Sequence, residues 1–325
     1  MRPRHVRAPD FWRRRTPTSA LLWPFGLAFD LGGRLREALS EPWRAPIPVV
    51  CVGNLVAGGA GKTPVALALG AWFGARGRNV HFLTRGYRGR LAGPVQVDPA
   101  RHDFRDVGDE PLLLASVAPT WVARDRRQGA EAAAAAGAEL IVMDDGLQNP
   151  SIAKTFSFLV VDGGYGFGNG RVMPSGPLRE PIARGVARVQ AAVLIGDDRT
   201  GARKRLPAAL PVLGARLMPD AAALALVGKP VVAFAGIGRP EKFFETLVEM
   251  GCTLVEGLPF PDHHVYRPED VMLACEMAAA RGAVPVTTAK DYVRLPAEAR
   301  AMVTPVGVTL EWEDPAALER LLAGL

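Results

Sequence analysis

A glycine-rich run that ends in a lysine and a threonine occupies residues 58–63 of the chain. It follows the apolar residues 49–52, which predict a buried strand, and precedes residues 63–75, which predict a helix closed by Gly77. Glycines leave backbone N–H groups free to point at phosphate oxygens, and a helix N-terminus adds positive potential. The lysine would reach the terminal phosphates of a nucleotide and the threonine would bind Mg²⁺. The sequence therefore predicts a nucleotide site formed by Gly58, Gly59, Ala60, Gly61, Lys62, Thr63 and Pro64.

This run departs in one place from the usual phosphate-loop pattern G-x-x-x-x-G-K-[ST], which would have glycine where the chain has Val56. The doubled glycine is similar to the loop of dimerising partition ATPases, but their signature lysine would fall at Ala57, so that class is disfavoured. A guanine-reading N-K-x-D motif is lacking, because Lys290 and Asp291 are adjacent. A glycine turn with an incidental lysine remains the alternative.

Two adjacent carboxylates, Asp144 and Asp145, follow the apolar residues 140–143, which predict another buried strand. Like charges this close are unfavourable unless a cation or hydrogen bonds neutralise them. Carboxylate and hydroxyl oxygens suit Mg²⁺, so we predict a magnesium site formed by Thr63, Asp144 and Asp145. A solvated turn before Gly146 is the alternative.

The elements that must position these residues alternate between strand and helix along the chain. Further strands are predicted at residues 80–83, 158–161, 192–195, 231–234 and 284–287, with helices at 128–136 and 241–250. This alternation is typical of an α/β fold with a doubly wound, mostly parallel sheet, which binds ligands at the carboxyl ends of its strands. We expect a P-loop NTPase-like core at 46–215 and a smaller C-terminal α/β domain at 216–325, divided where Pro207, Pro211 and Pro219 cluster.

Composition sets the class of partner. The 325 residues are 49% hydrophobic and 22% charged, which are ordinary globular values, and the net charge of +6 suits anionic partners. A genome of high GC content, which encodes arginine in place of lysine, is an equal explanation of this basic composition. The three cysteines are far apart and indicate neither disulfides nor zinc. No basic stretch is interleaved with stacking aromatics, so nucleic acid is not an expected partner. The sequence names no protein partner.

The N-terminal segment, residues 1–45, has a separate character. Residues 20–29 are almost entirely apolar, with Trp23 and Phe25 among them, and Arg13, Arg14 and Arg15 precede them. The run is shorter than the roughly 18 apolar residues that a spanning helix needs. An aromatic segment beside arginines predicts a helix lying in a membrane interface. Ordinary packing and a signal peptide are the alternatives, although Asp30 follows directly and no small-x-small cleavage site is clear.

Short runs of the chain, taken in order, resemble the motifs of the tetraacyldisaccharide 4'-kinase family over nearly its whole length. These runs are Val52-Gly53-Asn54-Leu55, Gly58-Gly59-Ala60-Gly61-Lys62-Thr63-Pro64, Thr84-Arg85-Gly86-Tyr87, Gly108-Asp109-Glu110-Pro111, Asp144-Asp145-Gly146-Leu147-Gln148, Gly168-Asn169-Gly170-Arg171, Gly176-Pro177-Leu178-Arg179-Glu180-Pro181, Gly236-Ile237-Gly238 with Phe243-Phe244, and Pro261-Asp262-His263-His264. Four positions differ from the family's usual residues: Thr84, Arg88, Asn149 and Ala289.

The resemblance implies a kinase of lipid A biosynthesis that uses ATP and Mg²⁺. It would transfer the γ-phosphate to the 4'-hydroxyl of a tetraacylated glucosamine disaccharide 1-phosphate, as a peripheral protein at the cytoplasmic face of the bacterial inner membrane. The catalytic residues would be Lys62, Asp109 as the proton acceptor and His263 as its partner. The substrate-binding candidates by motif position are Arg85, Tyr87, Arg126, Gln148, Asn169 and Arg171.

Other interpretations of the same residues stay open at this point. Asp109 could cap a helix, His263 could belong to a plain turn, and any substrate-binding candidate could be a structural hydrogen-bonding residue. The whole chain could be an ATP-dependent ligase, a kinase of another small molecule, or a membrane-bound ATP switch without catalysis.

Overall fold

The computed structural model describes residues 9–238 and 240–325, and residues 1–8 of the predicted N-terminal segment lie outside it. Within the described residues, nine strands form the larger sheet, in the spatial order β13-β8-β7-β6-β1-β5-β2-β4-β3. These strands are β1 (Val49–Gly53), β2 (Val80–Thr84), β3 (Val95–Gln96), β4 (Thr120–Val122), β5 (Leu140–Asp144), β6 (Phe156–Asp162), β7 (Ala191–Ile195), β8 (Val212–Pro219) and β13 (Val308–Trp312). The strands from β8 to β4 are parallel, and the edge strands β13 and β3 are antiparallel to their neighbours.

A second sheet has four parallel strands in the order β10-β9-β11-β12 among the residues described. They are β9 (Pro230–Ala235), β10 (Thr253–Pro259), β11 (Val284–Thr288) and β12 (Thr304–Val306). The helices are α1 (Pro17–Leu21), α2 (Trp23–Ala38), α3 (Lys62–Gly74), α4 (Phe104–Val107), α5 (Asp109–Leu114), α6 (Arg126–Ala135), α7 (Ile182–Val186), α8 (Ala221–Leu224), α9 (Pro240–Glu249), α10 (Pro268–Ala279), α11 (Ala289–Tyr292), α12 (Ala297–Arg300) and α13 (Pro315–Leu322), with 3₁₀ turns at Asp10–Trp12 and Ala202–Arg205.

The central strand β1 shows why the larger sheet forms. All five of its residues are buried, because helices and loops cover both faces of a parallel sheet. Val50 and Val52 pack with α3 on one face, while Cys51 packs with Leu147 on the other. The predicted α/β fold with a large, mostly parallel sheet is confirmed.

The predicted domain division at residue 216 needs a correction. Strand β8 runs through that position in the larger sheet, and β13 returns to pair with it. Helix α13 then packs Leu318 and Leu322 into the core of the larger sheet. We call the part of the chain that forms the second sheet the smaller lobe, and the part that forms the larger sheet the larger lobe. The smaller lobe therefore ends before residue 308, because apolar residues near the C-terminus are buried on the larger sheet.

Helix α2 contacts the body of the protein through a narrow stripe. Gly26 and Asp30 are its buried residues, and a Cβ at Gly26 would lie 2.8 Å from the carbonyl oxygen of Val172. Asp30 is ion-paired with Arg184 at 2.8 Å and with Arg34 at 2.9 Å. The large apolar side chains of α2 point outward, with Phe25 63% exposed. Of the helices within 9–238 and 240–325, none is long and apolar enough to cross a membrane.

We predict that Asp30→Ala loosens α2 from the body. Arg184 loses that carboxylate but keeps its ion pair with Glu180, so we expect a cost of about 2 kcal/mol. Urea unfolding and limited proteolysis of residues 17–40 measure the effect. The exposed Glu41, changed to Ala, is the control. An unchanged urea midpoint together with an unchanged cleavage rate in Asp30→Ala would contradict this account.

Candidate active site

The predicted phosphate loop, residues 58–63, lies between β1 and the first turn of α3 at the centre of the larger sheet. Gly61 is the N-cap of α3 with φ +84°, and a Cβ there would lie 2.4 Å from Cδ1 of Ile195. Gly58 also has positive φ, at +120°. Both positions favour glycine because other residues rarely adopt this conformation. The backbone of the loop is therefore shaped by its glycines, as an anion cradle requires.

The side chains that close the loop meet the end of β5. The Thr63 hydroxyl donates to Oδ2 of Asp144 at 3.0 Å, and Lys62 Nζ lies 3.7 Å from Oδ1 of Asp145. The strand order places β5 directly beside β1, which explains why residues far apart in sequence meet here. Lys62 and Thr63 thus contact the two adjacent carboxylates that the sequence marked.

Asp144 is the carboxylate with the fewest partners in this group. It is buried, and its Oδ1 makes no hydrogen bond to any described residue. Burial raises its pKa to about 7, and the charge of Glu110 acts in the same direction. A buried carboxylate oxygen without a donor, beside a threonine hydroxyl, fits a divalent cation. Among the described residues no three His, Cys, Asp or Glu side chains cluster as a metal cage.

Asp145 is already ion-paired with the cationic side chains of Arg179 and Lys62. Both nitrogens at the end of Arg179 bind it, at 2.7 and 3.2 Å. Burial alone would raise the pKa of Asp145, but Lys62 and Arg179 outweigh it and lower that pKa. Its φ of +54° is unusual for a residue with a side chain and turns the chain sharply after β5. The structure therefore brings Asp144 to Thr63 and aims Asp145 at the basic side chains.

Gln148 belongs to the support of this site. Its Nε2 donates to the carbonyl oxygen of Asn54 at 2.9 Å and to Glu180 at 3.0 Å, and its Oε1 accepts from Arg179 at 3.3 Å. Glu180 is fully buried and is also paired with Arg184 and Arg188. Arg179 and Glu180 were not among the predicted site residues, although they stand in a quoted motif. Only the fold shows that Arg179 reaches Asp145 after the end of β5 and that Glu180 reaches Gln148.

Asp109 and His263 meet although 154 residues separate them. Nδ1 of His263 lies 3.0 Å from Oδ2 of Asp109, and the backbone N–H of Glu110 donates to Oδ1 at 3.0 Å. Asp109 is the first residue of α5, not its N-cap, which is Gly108. His263 has φ +58° and packs edge-on to Tyr87, with ring centroids 5.9 Å apart. The carboxylate and the imidazole therefore form a pair between the two lobes.

Two basic residues that were not among the predicted site residues also face Asp109. Lys290 Nζ lies 3.7 Å and Arg294 Nε 3.6 Å from its Oδ2. Burial alone would raise the pKa of Asp109, but the hydrogen bond from His263 and the charges of Lys290, His263 and Arg294 lower it to about 2. The carboxylate is ionised at neutral pH and can accept a proton only through a strongly favourable geometry.

The remaining substrate-binding candidates differ in exposure and in hydrogen bonding. Arg85 and Tyr87 are exposed, and Arg126 is buried, its pKa lowered to about 10 by burial and then by the charge of Arg85. The side-chain amide of Asn169 donates to the carbonyl oxygens of Phe11 and Ser175 at 2.8 and 2.9 Å. Arg171 has a buried Nη1 without a hydrogen bond to the described residues.

Comparison with known proteins decides the family. The profile of the tetraacyldisaccharide-1-P 4'-kinase family matches residues 18–325. The chain belongs to this family. The predicted family is thereby confirmed.

Similar members of the tetraacyldisaccharide-1-P 4'-kinase family include two tetraacyldisaccharide 4'-kinases. That of Rhodospirillum centenum is 56% identical over 326 residues, covering 98% of this chain and 97% of the relative. That of Gluconacetobacter diazotrophicus is 57% identical over 319 residues, with the same two coverages. The crystal structure of LpxK from Aquifex aeolicus in complex with ATP superposes with a TM-score of 0.74 at 24% identity, covering 94% of this chain and 98% of that one. This last likeness shows the fold.

Two departures from the usual residues of the tetraacyldisaccharide 4'-kinases can be placed locally. Arg88 stands where glycine is common and has φ +64°, the conformation that glycine adopts most readily. Its guanidinium lies 5.7 Å from the centre of the Tyr87 ring. Asn149 accepts hydrogen bonds from the backbone and the hydroxyl of Ser151, at 2.9 and 2.7 Å. Both residues shape turns beside the site.

We predict that Asp109→Asn lowers the free energy of unfolding at pH 7 by about 2 kcal/mol, since one pKa unit corresponds to about 1.4 kcal/mol. Because folding depresses the pKa of Asp109, its stabilisation is present above about pH 4 and is lost as the pH falls towards 2. Urea unfolding of both proteins at several pH values measures this.

The control is Asp197→Asn, which removes an exposed pair with Arg216 and should cost under about 1 kcal/mol. A stability difference between wild type and Asp109→Asn that does not shrink below pH 4 would argue against a charged Asp109 in the folded state.

Proposed function

We propose that this chain is an ATP-dependent kinase that phosphorylates the 4'-hydroxyl of a tetraacylated glucosamine disaccharide 1-phosphate, the reaction named by its family. The observation that carries this is the presence, in one protein, of a phosphate loop and of a buried carboxylate, Asp109, paired with His263. A nucleotide switch without catalysis does not need a carboxylate–imidazole pair that can accept a proton from an attacking hydroxyl. The relatives, more than half identical over the whole chain, support the same reaction.

In the proposed mechanism the residues of the larger sheet hold the nucleotide. Backbone N–H groups of residues 58–63 and Lys62 bind the phosphates of ATP. Thr63 and Asp144 would hold Mg²⁺, and Asp145, paired with Arg179 and Lys62, completes the charge balance. The ion would neutralise charge that builds up on the phosphate oxygens.

The acceptor hydroxyl then loses its proton to Asp109 as its oxygen bonds to the γ-phosphorus. The bond from that phosphorus to the bridging oxygen breaks, and ADP leaves with the electron pair. Oδ2 of Asp109 faces His263, Lys290 and Arg294, whereas Oδ1 accepts the Glu110 N–H and keeps a second lone pair. We assign proton acceptance to Oδ1, with His263 orienting the carboxylate through Oδ2.

Substrate recognition in this proposal uses the exposed and basic residues around the pair. Tyr87 borders His263 and is exposed, which suits stacking on a sugar ring, and Arg85 lies close enough to Arg126 for their charges to interact. Two neighbouring arginines favour a phosphate on the acceptor. Gln148 acts in this scheme by holding the backbone of Asn54 after β1, and Asn169 by holding the backbone of the N-terminal segment at Phe11.

Membrane attachment is assigned to α2 and the arginines that precede it. Trp23, Phe25 and Phe29 are each about half exposed or more, and Arg13, Arg14 and Arg15 are exposed beside them. A helix whose polar stripe faces the protein and whose apolar surface faces outward matches an interfacial anchor. We propose the cytoplasmic face of the bacterial inner membrane as its place, where the acyl chains of the substrate would lie against the same helix.

The proposed activity predicts transfer of radioactive phosphate from ATP to the lipid disaccharide monophosphate in detergent with Mg²⁺. Lys62→Ala and Thr63→Ala should each lower kcat by about 10² or more, because charge neutralisation is the main catalytic term in phosphoryl transfer. Lys229→Ala, at an exposed site in the smaller lobe, is the matched control. ATP binding without any labelled lipid would overturn the kinase proposal and favour the switch.

The proposed anchor predicts that Trp23, Phe25 and Phe29, all changed to Gln, shift the protein from anionic liposomes to the supernatant. The loss of three exposed apolar side chains should weaken binding at least tenfold, since burying one such side chain is worth about 1.5 kcal/mol or more. Sedimentation with liposomes measures it. The control changes Val248, Met272 and Leu273 to Gln, all exposed apolar residues of the smaller lobe. Equal pelleting of both variants would place the anchor elsewhere.

A further inference from the structure

Arg294 is the largest fully buried side chain among the described residues, which is unusual for an arginine. It is ion-paired with Asp291 at 2.9 Å, and Asp291 is itself fully buried. A buried charge pair of this kind contributes little to stability on balance. Arg294 lies at the boundary between the two lobes, with its Nε 3.6 Å from Oδ2 of Asp109. This position indicates a role in the active site rather than in stability.

The hydrogen bonds of Arg294 converge on the turn that carries His263. Both Nη atoms donate to the carbonyl oxygen of Gly236 at 3.1 Å, and Nη1 also donates to the carbonyl oxygen of His264 at 3.2 Å. The same Gly236 oxygen accepts the backbone N–H of His263 at 2.9 Å. Arg294 therefore binds the carbonyl of His264, which follows His263, and the Gly236 carbonyl that accepts the N–H of His263, whose φ is +58°.

Asp291 completes this support from below. It accepts the backbone N–H of Gly236 at 2.9 Å and the hydroxyl of Tyr266 at 2.8 Å. Burial and the charge of Asp291 raise the pKa of Tyr266, so that hydroxyl keeps its proton and remains a donor. Gly236 is thus held through its N–H by Asp291 and through its carbonyl by Arg294.

Lys290 adds a second contact with the larger lobe. Its Nζ lies 3.0 Å from Oε1 of Glu110 and 3.7 Å from Oδ2 of Asp109. Glu110 follows Asp109 in α5, so Lys290 bridges the first two residues of that helix. Lys290 and Arg294 of the smaller lobe therefore both contact Asp109. Arg294 also binds the turn that carries His263, the partner of Asp109.

We propose that Arg294, assisted by Lys290, is a positioning residue for the phosphoryl transfer. It fixes Oδ2 of Asp109 and the turn of His263 together, so that Oδ1 faces the acceptor hydroxyl in the geometry that proton transfer needs. Arg294 does not touch the acceptor in this assignment and acts through the Asp109–His263 pair. The inference rests on the proposed kinase function.

The test is a double-mutant cycle between position 294 and position 109. Arg294→Met should lower kcat about 30- to 100-fold while the KM for ATP changes less than about threefold, because geometry sets proton-transfer efficiency. In the Asp109→Asn background the same change should lower kcat less than about threefold further, since residues acting as one unit are not additive. Arg294→Lys keeps the charge but loses the fork of hydrogen bonds, and should fall between wild type and Arg294→Met.

Matched variants separate positioning from mere stability. Arg281→Met removes an exposed arginine that pairs with Glu256 in the same lobe, and its kcat should remain within about twofold of wild type. If Arg294→Met does not fold, Lys290→Met replaces it in the cycle, because Lys290 is partly exposed. It should lower kcat about tenfold in the wild type and less than threefold in Asp109→Asn.

Two results would overturn the inference. One is a full loss on each background, so that the effects of positions 294 and 109 multiply. The other is a folded Arg294→Met with wild-type kcat and only a lower melting temperature. A wild-type protein that transfers no phosphate to the lipid would instead overturn the proposed function itself, so the two failures are distinguishable.

Discussion

Asp109 and Asp144 are buried near the carboxyl ends of the central strands, Asp145 is partly exposed beside Asp144, and the charge of each must be compensated there. Arg179 and Lys62 compensate Asp145, while Lys290 and Arg294 compensate Asp109. Asp144 accepts a hydrogen bond from Thr63, and its other oxygen has no donor among the residues that the structure describes. The charge left over is therefore concentrated on Asp144, beside the phosphate loop, where the proposed function needs a cation.

Compensation of Asp109 also sets how the two lobes are joined. The chain leaves the larger sheet after β8 and returns to it as β13, and these strands pair with each other. Both ends of the smaller lobe are therefore fixed at one edge of the larger sheet. At its other side the smaller lobe reaches across to α5 through His263 and Lys290. Strand pairing and buried charge together determine where His263 meets Asp109.

The sequence predicted what depends on short-range pattern. The phosphate loop, the strands around it and the residues Asp109 and His263 stand in recognisable runs, and the family resemblance supplied their pairing. Arg179 and Arg294 were missed because the chain has 39 lysines and arginines, and only the packed fold shows that Arg179 binds Asp145 and that Arg294 is buried beside Asp109. The end of the smaller lobe was missed for a similar reason, since the C-terminal apolar residues carry no mark of the sheet they will cover.

A series of ion pairs and hydrogen bonds connects helix α2, the proposed membrane face, to the candidate active site. Arg184 and Arg188 connect Asp30 and Glu37 of that helix to the fully buried Glu180. Glu180 holds Gln148, whose side chain accepts from Arg179, the partner of Asp145. If the helix lies in the interface, this chain of contacts fixes the distance of the phosphate loop from the bilayer. A lipid acceptor anchored by its acyl chains needs that fixed distance, because its hydroxyl cannot move far to meet the γ-phosphate.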